Sequence, residues 1–299
     1  MFLITGAGGG TGSVSRRVVE LLLEWGEQVR AMVHRDDERA EQLRALGAQV
    51  VVGDLTRACD IVDAVDGARR MFFNMSVSPD YLEATAEVCA VCLERGQLDV
   101  IVNMSQMTVS QMTLTSTGES RQQRLHWLAE HVLDWSGLPV IHVRPTVFLD
   151  NPLFTVLASR TVRERGVLAL PFGTGRTSPI SADDVARVVA TLLRDPANRI
   201  GQVYELTGPQ VLGLDGLAEQ YTRALKRPIS AEDLSLDEWE RQVLAPAGLP
   251  EHVRQHIATM ARLHREGRYD RATDDVGQIT GRPAQTVEQY VASDPDLFY

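Results

Sequence analysis

Lysine is nearly missing from this chain: Lys226 is the single one among 30 lysines and arginines. No site in the front half can therefore rest on a lysine. Cysteine is scarce as well. Cys59, Cys89 and Cys92 cannot build a disulfide framework, and their small number fits a reduced, cytoplasmic protein. Cys89 and Cys92 form a CxxC, but it falls late in an expected helix, where no helix N-terminus stabilises a thiolate. There is no second pair for zinc, so they read as two core residues one turn apart and no metal site is expected. Long apolar runs are absent too. The longest are strand-sized, which excludes a membrane span, and an apolar strand starting at Phe2 leaves no room for a signal or transit peptide. An excess of positive charge is also lacking. The net charge of −10 argues against direct binding to nucleic acid. No repeat, low-complexity tract or separating linker is present.

The composition otherwise is that of a soluble globular protein, with 44% apolar and 23% charged residues. Its organising stretch is the first dozen residues. Phe2-Leu3-Ile4 is too short for a helix and right for a buried strand. Thr5-Gly6-Ala7-Gly8-Gly9-Gly10-Thr11-Gly12 follows, and then Val14, Val18, Leu21, Leu22 and Trp25 recur at helical spacing. Strand, glycine loop and helix in this order is the context that gives a glycine triplet its meaning. Gly6, Gly9 and Gly12 permit a sharp turn and a close approach of pyrophosphate, with Gly10 and Thr11 between them. The helix N-terminus then offers unpaired N–H groups to the phosphates. A plain strand–helix turn would need one glycine.

Further strands are expected near 28–34, 49–53, 70–74, 99–103 and 140–143, alternating with helices near 38–46, 61–65, 80–95 and 119–135. This alternation specifies an α/β, doubly wound parallel sheet with helices on both faces. The second strand ends His34-Arg35, a basic end that suits the 2′-phosphate of NADP rather than the bare ribose of NAD. Asp36 and Asp37 follow at once, and they read as the cap of the next helix. Asp54 ends the third strand, where it meets either an adenine or only its own turn. Two consecutive strands close with the same tripeptide, Asn74-Met75-Ser76 and Asn103-Met104-Ser105. Ligands of open parallel sheets bind outside the strands' carboxyl ends. Both tripeptides are therefore expected at the cofactor crevice, where Asn and Ser offer polar partners and Met a deformable wall. Residues 106–118, with Met107 among them, read as a loop over the site. Beyond residue 145 the expected elements are helices at 153–165, 182–193 and 214–225, a strand at 202–206, and then several short helices to the end. His252 and His256, four apart on a helix, read as surface residues.

With these pieces in hand the chain resembles the short-chain dehydrogenase/reductase superfamily, and within it the NmrA-like atypical branch. The resemblance rests on Thr5-Gly6-x-x-Gly9-x-x-Gly12, Gly53-Asp54-Leu55, Ser136-Gly137-Leu138-Pro139 running into Val143-Arg144-Pro145, and Phe148-Leu149-Asp150-Asn151. It continues through Ile180-Ser181-Ala182-Asp183-Asp184-Val185-Ala186, Tyr204-Glu205-Leu206-Thr207-Gly208-Pro209 and Thr280-Gly281-Arg282-Pro283. It implies a Rossmann-like NADP-binding domain over 1–150, with 179–208 returning to it, and a smaller, mainly helical substrate or partner domain over 151–299. It also implies NADP(H) as cofactor and a small-molecule substrate.

The chain departs from the superfamily where catalysts carry a Tyr-x-x-x-Lys pair. That pair is impossible here, because the only lysine is Lys226 and no tyrosine lies between Tyr81 and Tyr204. Reductases of the branch often keep a lysine four residues before a glutamate. Glu130 matches that glutamate and His126 stands in the lysine's place, as a candidate proton donor. Two functional classes follow. One is an oxidoreductase passing hydride from NADPH to a small apolar or quinone-like acceptor, with Met104, Met107, Phe148 and Asn151 around the substrate. The other is a catalytically inactive NADP(H) sensor acting through a protein partner. A sugar-nucleotide epimerase is disfavoured by the missing pair. A homodimer is compatible with the sequence.

Overall fold

A computed structural model describes residues 1–9, 13–76 and 78–299. In chain order the elements begin with β1 (Phe2–Ile4), α1 (Val14–Glu24), β2 (Val29–Val33), α2 (Glu38–Ala45), β3 (Gln49–Val52) and α3 (Ala58–Val65). They continue with β4 (Arg70–Phe73), α4 (Tyr81–Arg95), β5 (Val100–Met104), α5 (Arg121–Ser136), β6 (Val140–Pro145) and α6 (Ser159–Arg165). Next come β7 (Val167–Leu170), α7 (Ala182–Arg194), β8 (Val203–Leu206), α8 (Leu214–Leu225) and β9 (Ser230–Asp233). The single turn α9 (Leu236–Trp239), then α10 (Glu251–Arg265), α11 (Asp275–Thr280) and α12 (Val287–Ser293), complete the chain. No helix among the described residues is long and apolar enough to cross a membrane.

Two compact units result. The first comprises 1–112, 121–144 and 182–205; the second comprises 113–120, 145–181 and 206–299. A sheet of seven strands in the order β3-β2-β1-β4-β5-β6-β8 forms the frame of the first. The register is parallel, Leu3 facing Arg30 on one side and Met71 on the other. This is a Rossmann-like arrangement. The chain walks outward from β1 to β3 and then crosses back to β4, so the strand order reverses between β1 and β4. Alternation within the strands sends Leu3, Met71, Phe73 and Ile101 to the side covered by α3, α4 and α5. On the opposite side α1 packs against α7.

The second unit has its own core, in which Phe154, Phe172, Tyr221, Trp239 and Phe298 are wholly or almost wholly buried. Here the structure departs from expectation. The tail is not helices alone: β9 pairs in parallel with β7, Val167 opposite Ser230. Ser-Ala-Glu-Asp carries no apolar alternation and its partner lies far upstream, so β9 does not announce itself locally, whereas β7 is a short apolar run between Gly166 and Pro171. The helix expected over 153–165 is a π-helical turn at Leu153–Ala158 that runs into α6.

Candidate nucleotide site

The reversal of strand order places the carboxyl ends of β1 and β4 side by side, and a tight polar corner is built there. Gly6 follows β1 with φ +66°, and a Cβ on it would lie 2.7 Å from the Asn74 carbonyl oxygen. Only glycine fits this corner. Thr5 Oγ1 donates to Asn74 O at 2.8 Å and accepts from Asn74 N at 2.9 Å, while the Asn74 side-chain amide donates to Ser15 Oγ at 2.9 Å. Thr5, Gly6, Ser15 and Asn74 thus tie β1, β4 and the first turn of α1 together. The structure brings Gly6 and Asn74 to one place. Thr5 and Ser15 were not anticipated, although Thr5 sits immediately before the glycine turn. Met75 is half-buried against the α3–α5 side of the sheet, and Ser76 is exposed. Gly10, Thr11 and Gly12 lie outside the described residues.

The end of β2 forms the second part. His34 and Arg35 are exposed there. The two aspartates that follow are each held by an arginine of α2. Arg44 reaches Asp36 at 2.8 Å. Arg39 donates through Nε to both oxygens of Asp37, at 3.0 and 3.3 Å, and its Nη2 closes on the same carboxylate. The Asp37 carboxylate also caps α2 by accepting from Arg39 N at 3.0 Å. The Arg39 side-chain bonds hold the Asp37 carboxyl below its usual range. Arg35, by contrast, has no hydrogen-bond or ion-pair partner among the described residues. Arg39 is a residue that sequence reasoning missed: its Cδ lies 3.8 Å from where a Cβ of Gly9 would stand. Asp54 serves its own turn, one oxygen accepting from Thr56 N at 2.9 Å and Thr56 Oγ1 at 2.8 Å. Those bonds lower its pKa, the backbone one first, with a smaller contribution from nearby His34.

At the end of β5, Asn103 is buried, and its amide donates to His142 Nδ1 at 2.9 Å. That bond makes Nδ1 the acceptor, so Nε2 carries the proton and donates to Asp134 at 2.9 Å. The Ser105 hydroxyl is buried with no partner among the described residues. Met104 and Met107 are buried as well. His126, on α5, lies with its ring 4.3 Å from that of Tyr81, and its Nε2 meets the Gln122 amide at 3.2 Å. Tyr81 in turn donates to the Met104 carbonyl at 3.0 Å, and burial drives its hydroxyl pKa well above the ordinary value. Glu130, one turn beyond His126, is buried and paired with Arg144, whose Nε reaches it at 2.9 Å.

The donor set fits a dinucleotide. It has a glycine corner that a Cβ would fill and, among the described residues, an arginine without a partner beyond β2 and a buried, unmatched hydroxyl beyond β5. A family model described as NAD(P)H-binding matches residues 9–196. The chain belongs to this NAD(P)H-binding family. It is 27% identical over 292 residues to the NAD(P)H azoreductase of Xenophilus azovorans, covering 97% of each chain. Its fold is similar to that of the NADPH-dependent quinone oxidoreductase QOR2 of Escherichia coli in complex with NADPH, with a TM-score of 0.84 at 22% identity over 98% of this chain and 99% of that one. It is also similar to that of NmrA, a negative transcriptional regulator, in complex with NADP, with a TM-score of 0.80 at 17% identity over 98% and 94% of the two chains.

The remaining expected residues belong to the second unit of this NAD(P)H-binding protein. Phe148 is half-buried and bridges to Ile180, and the Asn151 side chain accepts from Leu153 N at 2.9 Å. His256 is not a surface residue: it is half-buried, bonded to Ser120 Oγ at 2.8 Å, and burial depresses its pKa to about 4. His264 went unnoticed in the sequence. It is wholly buried between Phe172, at 4.2 Å, and Tyr269, at 3.9 Å, and burial depresses its pKa to about 3. Cys89 and Cys92 are buried, and burial pushes the Cys92 thiol up to about 12, so neither is poised for redox chemistry.

Proposed function

We propose that this chain is an oxidoreductase that uses NADPH to reduce a small apolar or quinone-like acceptor. The observation that carries the reading is the corner of Thr5, Gly6, Ser15 and Asn74 at the reversal of strand order, with Arg35, at the end of the neighbouring strand, without a partner among the described residues. Gly6 keeps that corner free of side chain so that a pyrophosphate can approach the start of α1. Arg35 compensates a 2′-phosphate, which favours NADPH over NADH. Ser105 supplies a buried hydroxyl to the nicotinamide half, and Met104 a soft apolar neighbour. The nicotinamide, when bound, supplies the hydride. A quinone suits the absence of a Tyr–Lys pair, because its reduced oxygen is a comparatively stable anion that can take its proton from water or from His126. The azoreductase and quinone oxidoreductase among its relatives support this class of acceptor. The absence of paired cysteines fits a reducing, cytoplasmic setting.

A second reading, a nucleotide-responsive binding protein, is favoured by the same missing pair. NADPH consumption against a panel of quinones and azo dyes separates the two. Turnover with any acceptor above the uncatalysed rate supports the oxidoreductase; NADPH binding without turnover across the panel supports the binding protein.

A further inference from the structure

We infer that the open edge of β9 is a docking site for an extended, basic segment of another protein, which adds to it as a third strand. The register of the two-stranded sheet defines that edge. Ser230 N donates to Gly166 O at 3.1 Å and Leu234 N to Leu170 O at 3.4 Å, so the even-numbered residues turn their main chain to β7. Ala231 and Asp233 turn theirs the other way, where no described strand meets them. The two strands also differ in exposure: β7 is buried from Leu168 to Leu170, while Ser230 and Asp233 of β9 are exposed. A strand edge of this kind is a template for another chain.

Beside it, α8 and β9 enclose a groove of about 580 Å³. Ala218, Ile229 and Ala231 give it a small apolar lining, and Asp215, Glu219 and Arg223 carry its charges. Arg223 is held by Glu288 at 2.8 Å and stands 3.9 Å from Glu219. Asp215 has no ion-pair partner among the described residues. The groove is therefore acidic. Asp215 and Glu219 lie one helical turn apart, about 6 Å, and alternate side chains of a strand are about 7 Å apart. An added strand with Lys or Arg at alternate positions thus meets both carboxylates, with its apolar stems over Ala218 and Ile229. The acidic side chains of β9 itself are already engaged, Glu232 by Arg165 at 2.5 Å and Asp233 by Arg265 at 3.1 Å. A second copy of this chain fits less well, because edge-to-edge pairing would bring two equally acidic grooves together.

The test titrates a dye-labelled peptide of four Lys-Thr repeats with the whole protein and follows fluorescence anisotropy. Ala231→Pro removes the outward N–H without touching a bond to β7, the one place where a strand tolerates proline. Asp215→Asn with Glu219→Gln removes the charge and leaves the main chain as it is. Circular dichroism checks both variants, and the charge variant decides if Ala231→Pro does not fold. Docking requires saturable binding of one peptide per chain, weakened about tenfold by Ala231→Pro and about fivefold by the charge variant. An affinity unchanged within twofold in either folded variant overturns it, as does no saturation up to about 1 mM. Equal binding of a Lys-Pro peptide, which has the same charge but lacks every second main-chain donor, marks attraction by charge alone and overturns it too. Self-association of the wild-type protein that Ala231→Pro abolishes assigns the edge to a second copy and likewise overturns the proposal.

Discussion

Replacing Gly6 with alanine tests the corner on which the nucleotide site depends. Two costs add. The first is conformational: φ at Gly6 is +66°, and an L-residue there costs about 1 kcal/mol. The second is steric. The new Cβ would stand 2.7 Å from the Asn74 carbonyl oxygen, a backbone atom that cannot rotate away. Moving it strains the bonds at 2.8 and 2.9 Å that Thr5 makes with Asn74, and each such bond contributes about 1 kcal/mol. The sum is a loss of about 2–4 kcal/mol. Gly26 supplies the control. It also has positive φ, +78°, but no atom lies within 4 Å of its Cβ position, so Gly26→Ala meets only the conformational cost. Thermal unfolding followed by circular dichroism, with NADPH titration of each folded variant, reads both consequences. Gly6→Ala is expected to melt several degrees below Gly26→Ala and to lose NADPH affinity, while Gly26→Ala keeps it. Equal melting temperatures for the two variants, or full NADPH affinity in Gly6→Ala, would refute the reasoning.

Three further outcomes are expected. The folded-state pKa of His264 lies below the ordinary value, so its contribution to stability is complete above about pH 6.5. It is lost as pH falls toward about 3; by pH 5 the loss is about 2 kcal/mol. His256 adds in the same direction, and an NMR titration showing the His264 ring protonating near its ordinary pKa would contradict the burial argument. Of the three thiols, exposed Cys59 is expected to react readily with a disulfide reagent at pH 8 in the folded protein, with Cys89 and Cys92 reacting only on unfolding. Rapid labelling of all three would contradict the packing described. His126→Ala is expected to lower quinone reduction by less than about tenfold, because its Nε2 is shared with Gln122; a loss of 10²–10⁴-fold, of the order of magnitude of general acid catalysis, would assign it the proton.

How far the sequence spoke for itself depends on how local the signal was. The strands from β1 to β6 are short apolar runs bounded by polar or glycine turns, and the helices between them carry an apolar stripe, so pattern alone located them. Strand β9 lacks that advantage, because its polar Ser-Ala-Glu-Asp is specified by pairing with β7 across a long stretch of chain. The same division holds at the site. Gly6 was legible because a glycine between a strand and a helix has a backbone meaning. Its partners Thr5, Ser15 and Asn74 became a unit only when the sheet placed β4 beside β1. Arg39 was hidden for a similar reason: on the chain it belongs to the next helix, and only its reach brings it to Gly9. His256 sits among arginines and glutamates on α10, so the sequence suggested exposure where the fold half-buries it, and nothing local marked His264 as buried.

A reduced nicotinamide dinucleotide held at the strand-order reversal is the proposal on which the site depends. Calorimetric titration of the wild-type protein with NADPH, and then with NADH, tests it most directly. Saturable binding of NADPH at one site per chain, tighter than that of NADH, is the expected result. Failure of both nucleotides to saturate at concentrations up to about 1 mM, a free energy weaker than about −4 kcal/mol, would contradict it.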